Sequence, residues 1–500
     1  MRWLPLFLLL VGSLTGQAQT EAGRGRANSN YPALPAVSRL ANATEVRKRL
    51  GLTPEYAGVV RLEAVKVAVL DYGFAGLDQG KPYLPASAEV VEHYSPEFIR
   101  RYDLGDPNYQ IPLDPLNKHG RGMAQIIWAV TGSNPGGPKF YLLNASGPTM
   151  LRRAVRYAIE RKVDLILFSG WFEGGGNGDG RGPINQVVSQ ATSAGIPWIN
   201  AAGNTGMRVY NGPVRVLNDG YLKLRDGKDI ASLRFRNHAD ENTVTVTLSW
   251  NDYRETEDAG SNKDLDLYVE DWAGRIVGSS QKRQIVGTEA AGTEETRNPR
   301  ERLILANLPA SPTVPSDPDY CYRIRIKAPR GGFSASTDRL RVLVAATREA
   351  YVAPGNDAPR PALEFLDASG EEELYPPADH PLVLTVGDDD RASALGPTLD
   401  RRVKPDTILA DSRAYFTDGE VTAGSSNAAA YVAGVVAVLK ATNPMLQPAD
   451  LLRIARQGPL MSASSIKGRP VKARGGVTPS FHLWQTPTQG KLNELLRTRR

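Results

Sequence analysis

A chain of 500 residues with a single cysteine, Cys321, cannot close an intrachain disulfide. Its durability must come from core size or bound ions rather than cross-links. Cys321 itself reads as a structural residue in a strand, not a reactive thiol. Histidine is also scarce, with five in the chain. His93, His238, His380 and His482 stand alone, without the paired spacing that builds a metal site. A strong excess of one charge is missing too: 60 Lys and Arg face 54 Asp and Glu, and they are scattered. A nucleic-acid binder would gather its cations on one face, so that class is set aside. Beyond the N-terminal region no run reaches about 18 apolar residues, which argues against a membrane-spanning helix.

What is present begins with "MRWLPLFLLLVGSLTGQAQT". Arg2, an apolar stretch from Leu4 to Val11 and small residues ending near Ala18 have the shape of a cleavable secretory signal. No cysteine follows to carry a lipid. The expectation is a secreted chain, extracellular or periplasmic, monomeric and without a membrane anchor.

Between about residues 60 and 205, short β-branched runs alternate with helical patterns. "AVKVAVLDYG", "KFYLLNA", "VDLILFSG" and "IPWINAAGN" read as buried parallel strands. "HGRGMAQIIWAV", "MLRRAVRYAIERK" and "INQVVSQATSAG" read as the helices between them. Strand–helix alternation predicts an α/β layer on a parallel sheet. The period then switches to two. "TVTVTLSW" places Val244, Val246, Leu248 and Trp250 on one face and Thr243, Thr245, Thr247 and Ser249 on the other. "LDLYVEDWAGRIVGSS", "YCYRIRIKA" and "LRVLVAATRE" continue the pattern, which predicts an inserted antiparallel β-sandwich. The α/β pattern resumes with "PLVLTVG" and the apolar helix "AYVAGVVAVLKATNP". The expected units are a signal (1–18), an extension (19–62), a first α/β part (63–206), the sandwich (207–355), a second α/β part (356–460) and a tail (461–500).

Four residues sit where open α/β sheets carry their chemistry, at strand ends and helix starts. They are Asp71, His119, Asn204 and Ser426. A serine hydroxyl needs an imidazole to take its proton, and the imidazole needs a carboxylate to fix its tautomer. A tetrahedral intermediate needs donors for its oxyanion, which an Asn amide and a backbone N–H supply. Each residue alone has an ordinary reading as a turn residue, a cap or a loop residue. Together they stand in the order Asp, His, Ser.

These segments resemble the subtilisin-like serine peptidases. "VAVLDYGF" is similar to the segment of the triad acid, "HGRGMAQII" to the histidine helix and "AAGN" to the oxyanion segment. "GSSNAAAYVAG" is similar to the family's Gly-Thr-Ser-x-Ala-x-Pro-x-Val-Ala-Gly. The resemblance covers roughly 65–205 and 380–440, with "RRVKPD" and "LTVG" adding to it. It implies a three-layer α/β fold, with Asp71 as acid, His119 as base, Ser426 as nucleophile and Asn204 as oxyanion donor. Ser169 and Gly170 fall where the family pairs with substrate backbone. Protein or peptide substrates are implied, the chemistry requires no cofactor, and a structural calcium ion stays open but unsupported. Ser425 stands in for the family's threonine and reads as a cap or packing residue. The small side chains of its helix read as room for close neighbours.

The chain also departs from the pattern. Ala430 replaces a proline, Tyr72 a small residue beside the acid and Arg121 a threonine beside the base, and "ILADS" lacks Ala-Pro-Gly. "EGGGNGDGRGP" misses a calcium repeat by one residue and reads as a flexible loop near the cleft. The departures motivate a second reading, a catalytically inactive binding or scaffold protein on the same fold. A third makes the sandwich the working part, binding a surface or carbohydrate, against the plainer reading of extra buried area.

Overall fold

The computed structural model describes residues 62–74, 117–131 and 137–457, with short breaks inside the last range and a few isolated residues elsewhere. The expected signal, most of the 19–62 extension and most of the tail lie outside the described residues.

Six buried strands form the centre. They are β1 (Lys66–Asp71), β2 (Lys139–Asn144), β3 (Leu165–Phe168) and β4 (Trp198–Ala201), joined far along the chain by two more. The helices α1 (His119–Thr131), α2 (Pro148–Glu160) and α3 (Pro183–Ser193) connect the first four.

After β4 the chain leaves the sheet for an antiparallel sandwich. Its strands are β5 (Val209–Pro213), β6 (Leu233–Asn237), β7 (Asn242–Trp250), β8 (Asp264–Glu270), β9 (Ile276–Ser280), β10 (Arg300–Leu308), β11 (Tyr322–Arg330), β12 (Arg339–Ala346) and β13 (Leu363–Phe365). The chain then returns with β14 (Val383–Asp388) and β15 (Thr407–Leu409), followed by α4 (Ser425–Thr442) and α5 (Pro448–Gln457).

The central sheet runs β15-β14-β4-β3-β1-β2, with every neighbouring pair parallel. Its strands are apolar on both faces because both are covered. Val67 and Val69 of β1 pack with Ile126 and Ile127 of α1 and Val432 and Val436 of α4. Ala68 and Leu70 point the other way, to Leu151 and Val155 of α2 and Val188 of α3. The three-layer arrangement with an inserted sandwich is the one the sequence predicts.

Helix α4 is buried almost all round. At its crossing with α1 a Cβ on Gly434 would lie 2.6 Å from Val130 Cβ, so only glycine permits that approach. No helix among the described residues is long and apolar enough to cross a membrane.

The sandwich pairs a four-stranded sheet, β10-β7-β12-β5, with a five-stranded one, β13-β6-β11-β8-β9. Val244, Val246, Leu248 and Trp250 of β7 meet Leu265, Leu267 and Val269 of β8 between them. The threonine face of β7 is buried as well. Thr247 Oγ1 donates to Glu173 Oε2 at 3.1 Å, and Arg302 Nε reaches the same oxygen at 3.0 Å. That face is polar because it docks on the α/β layer.

The glycine-rich segment 173–183 forms this joint, where the sequence reading expected a flexible loop. Asn177 donates its Nδ2 to the carbonyl of Tyr253 at 3.0 Å and accepts that residue's N–H at 2.9 Å. At Gly178, with φ +80, a Cβ would fall 2.0 Å from Arg341 Nη2. Its glycines serve contact as well as turning, which composition alone does not reveal.

One carboxyl inside the sandwich makes its stability pH-dependent. Glu301 is 1% exposed, accepting from Gln284 Nε2 at 2.8 Å and from Ser280 Oγ. Burial pushes its pKa from 4.5 up to about 7. The native state therefore holds a proton that the unfolded chain has already released between those values, and stability falls as pH rises through them. Glu301→Gln should gain up to about 3 kcal/mol over wild type at pH 8, and nothing at pH 4. Urea unfolding at both pH values measures this; an equal gap at the two would assign the effect elsewhere.

Candidate active site

Strand β1 delivers Asp71 at its C-terminal end, beside the point where the strand order reverses between β1 and β3. The carboxylate is enclosed: Oδ1 accepts the Tyr72 N–H at 2.8 Å, and Oδ2 is hydrogen-bonded to His119 Nδ1 at 2.8 Å. That second bond orients the imidazole with Nε2 facing away from the acid.

His119 is the first residue of α1, and Asn117 Oδ1 accepts its backbone N–H at 2.9 Å. This Asx turn starts the helix, a role for Asn117 that the sequence reading missed although the residue type favours it. Gly120 is the contact that lets the helix sit so close. A Cβ there would lie 2.5 Å from both Asp71 Cβ and Phe74 Cε1. Gly120→Ala should thus displace His119 from Asp71; if the pair is catalytic, as proposed below, kcat/KM on peptides should fall about 100-fold, the cost typical of a misplaced catalytic group. Unchanged kinetics would show that the helix shifts without harm.

Tyr72, one of the departures, stacks on His119. Its ring centroid is 5.4 Å from that of His119, with the planes 9° apart. The larger residue thus fits by covering one face of the imidazole.

At the other end of the site, Ser425 and Ser426 open α4 behind Gly424, and no side chain caps the helix. Ser425 is neither a cap nor mere packing. Its Oγ donates to Asn204 Oδ1 at 2.9 Å and accepts the Gly203 N–H at 3.1 Å, while its own N–H reaches Asn204 Oδ1 at 3.2 Å. With its carbonyl oxygen held twice, the Asn204 carboxamide is fixed, leaving Nδ2 as its outward donor. The signal was in the sequence: a hydroxyl stands at the family's threonine position.

Ser412, from the divergent "ILADS", has a comparable supporting role. It donates to Asp388 Oδ2 at 2.7 Å and accepts the Gly424 N–H at 2.9 Å, tying down the loop before Ser426.

Ser426 Oγ donates to the carbonyl of Ser169 at 3.2 Å. His119 Nε2 is buried and has no hydrogen-bond partner among the described residues. The structure therefore brings Asp71 and His119 together, and Ser426, Ser425 and Asn204 together, with the serine hydroxyl turned to Ser169 instead of the imidazole. Gly170 lies on the same strand exit, its carbonyl accepting from Asn200 Nδ2 at 3.0 Å.

Another serine and histidine lie side by side elsewhere in the α/β layer. Ser189 Oγ lies 3.0 Å from His380 Nε2, but His380 Nδ1 accepts the Leu382 N–H at 3.2 Å. The ring proton must then sit on Nε2, so this histidine donates to the serine and cannot activate it. Burial, aided by Lys404 and Arg402, holds its pKa down at about 3. His380 is a structural residue. His238, on the sandwich, faces Glu364 at 3.5 Å, and His93 and His482 lie outside the described residues. No group of three or more His, Cys, Asp or Glu suited to a metal ion occurs among the described residues.

The sheet order, the crossing of α1 and α4 and the placement of these residues at one edge give the chain the fold of the subtilisin-like serine proteases. Among solved structures, the Clostridium perfringens CspB protease is similar at a TM-score of 0.53 and 15% identity, over 91% of this chain and 98% of that one. MycP1 from Mycobacterium smegmatis gives a TM-score of 0.38 at 16% identity, over 90% of this chain and 84% of that one. No family model and no curated protein matches the chain. The likeness to the CspB protease supports the fold and leaves activity to the site.

Proposed function

We propose that this chain is an exported serine endopeptidase that hydrolyses peptide bonds through Asp71, His119 and Ser426. The observation that carries the reading is the enclosed Asp71–His119 bond of 2.8 Å, on the same sheet edge as a hydroxyl at a helix N-terminus. Ser426 attacks the scissile carbonyl after rotation of its side chain towards His119 Nε2, which takes the proton. Asp71 balances the charge that develops on the imidazole. The oxyanion meets Asn204 Nδ2 and backbone N–H groups at the start of α4, where the helix dipole also favours negative charge. His119 then returns the proton to the leaving amine, and water repeats the sequence on the acyl-enzyme. The "MRWLPLFLLL" start supports export.

The inactive-scaffold reading is favoured by one observation: the Ser426 hydroxyl is bonded to Ser169 and not to His119. That bond is a neutral one worth about 1 kcal/mol net, and catalytic contacts are commonly loose without substrate. It is too weak to hold the serine away from its base. A fluorophosphonate probe decides between the readings, because covalent labelling at Ser426 requires an activated hydroxyl. Labelling abolished by His119→Ala supports the peptidase; an unlabelled wild-type chain supports the scaffold.

A further inference from the structure

The strand exits flanking the nucleophile leave a gap between them, and one side chain fills it. In the mechanism proposed above, a carbonyl held at Ser426 Oγ with its oxygen towards Asn204 Nδ2 would direct the side chain of its own residue between segments 169–171 and 202–204. These segments continue β3 and β4, which are neighbours in the sheet. Trp171 lies in that gap. Its Cδ1 is 3.4 Å from where a Cβ on Gly203 would be, and the residue is only 9% exposed.

The indole is held from behind. Tyr375 packs on it with ring centroids 5.3 Å apart, and Val209 of β5 and Leu343 of β12 complete a buried cluster. Arg341 of β12 donates through Nη1 to the Leu374 carbonyl at 2.7 Å and sits over the Tyr375 ring, 5.5 Å from its centroid. The sandwich therefore forms the rear wall of the gap, and the indole cannot swing away without disturbing its packing. The Trp171 Nε1 donor, next to the Cδ1 that faces Gly203, is buried without a partner. A substrate carbonyl or hydroxyl would supply one.

We infer that Trp171, braced by the sandwich, closes the pocket for the residue before the scissile bond, so the enzyme accepts only glycine, alanine or serine there. This rests on the peptidase reading above. It gives the insert a function, setting the depth of the pocket, that neither a movable lid nor a spacer would have. A branched or aromatic side chain would have to displace a packed indole, and a hydrophobic pocket discriminates by volume at a typical 10- to 200-fold per methylene.

The test uses the full chain and a pool of peptides that vary only in the residue before the cut. It compares wild type, Trp171→Ala and Trp171→Phe, with Ser426→Ala as control. Wild type should cleave after glycine, alanine and serine, with kcat/KM for leucine or phenylalanine at least about 100-fold lower. Trp171→Ala should raise cleavage after leucine and phenylalanine at least tenfold, and Trp171→Phe should fall between. The Phe variant keeps the test valid if the Ala variant does not fold. Wild-type cleavage after large residues, or variants with unaltered preference, would overturn the pocket assignment while leaving the peptidase reading intact. A wild type that neither cleaves nor takes the fluorophosphonate would overturn both.

Discussion

Ser426→Ala should reduce peptide hydrolysis by roughly six powers of ten, the loss observed when the nucleophile of this kind of triad is removed from subtilisin itself. The physical basis is that no other hydroxyl replaces it. Ser425, its neighbour, is committed to Asn204 and Gly203 through bonds of 2.9 and 3.1 Å. Ser169 donates its own hydroxyl only weakly, at 3.5 Å, to the Ser426 carbonyl. The substitution removes a single hydrogen bond, to the carbonyl of Ser169. It adds a helix-favouring alanine to a helix already rich in it, so the fold should survive. Steady-state turnover with matched circular dichroism spectra checks both parts. Activity within tenfold of wild type would place the nucleophile elsewhere.

Asn204→Ala should cost about two to three powers of ten in kcat with little change in KM, again the size measured for this donor in subtilisin. The split follows from where the donor acts. In the mechanism proposed above, Nδ2 meets the charge that develops on the oxygen and contributes little to the ground-state carbonyl, so its removal would weaken the transition state more than binding. Here the donor is unusually well fixed, because both the hydroxyl and the N–H of Ser425 hold its Oδ1. Gly424, at φ +123, brings the backbone past it in a conformation strained for other residues, and a Cβ would lie a tight 3.1 Å from Asn204 Nδ2. A rise in KM at constant kcat would instead make Asn204 a substrate-binding residue.

The central sheet was legible because its strands are apolar on both faces, and "VAVLDYG" or "IPWINAAGN" leave no polar face for an alternative. The shared edge of the candidate residues was legible for a related reason. Parallel strands end in loops at one edge, so Asp71 and Asn204 fall on the same edge of the sheet, with β3 between their strands. The order of four motifs did the rest. Contacts between distant segments were not legible. Nothing in "SGW" says that its tryptophan is clamped by Val209 and Leu343 of another layer. Nothing in "TVTVTLSW" says that its threonine face is buried, with Thr247 bonded to Glu173 instead of water. The glycines of 173–183 misled for a physical reason: a missing side chain permits flexibility and close packing alike, and only the neighbours decide which. The hydroxyl of Ser425 was visible, but its use depends on a bond to a residue more than two hundred positions away.

Helix α4 is sheathed on nearly every side and comes late in the chain. Asp71, His119 and Asn204 precede an entire sandwich in the sequence, and Ser426 follows it. The contacts of α4 join segments remote in sequence, with α1, β3, β4 and β14. If the peptidase reading holds, a polypeptide stopping short of that helix lacks its nucleophile, however well the rest has folded.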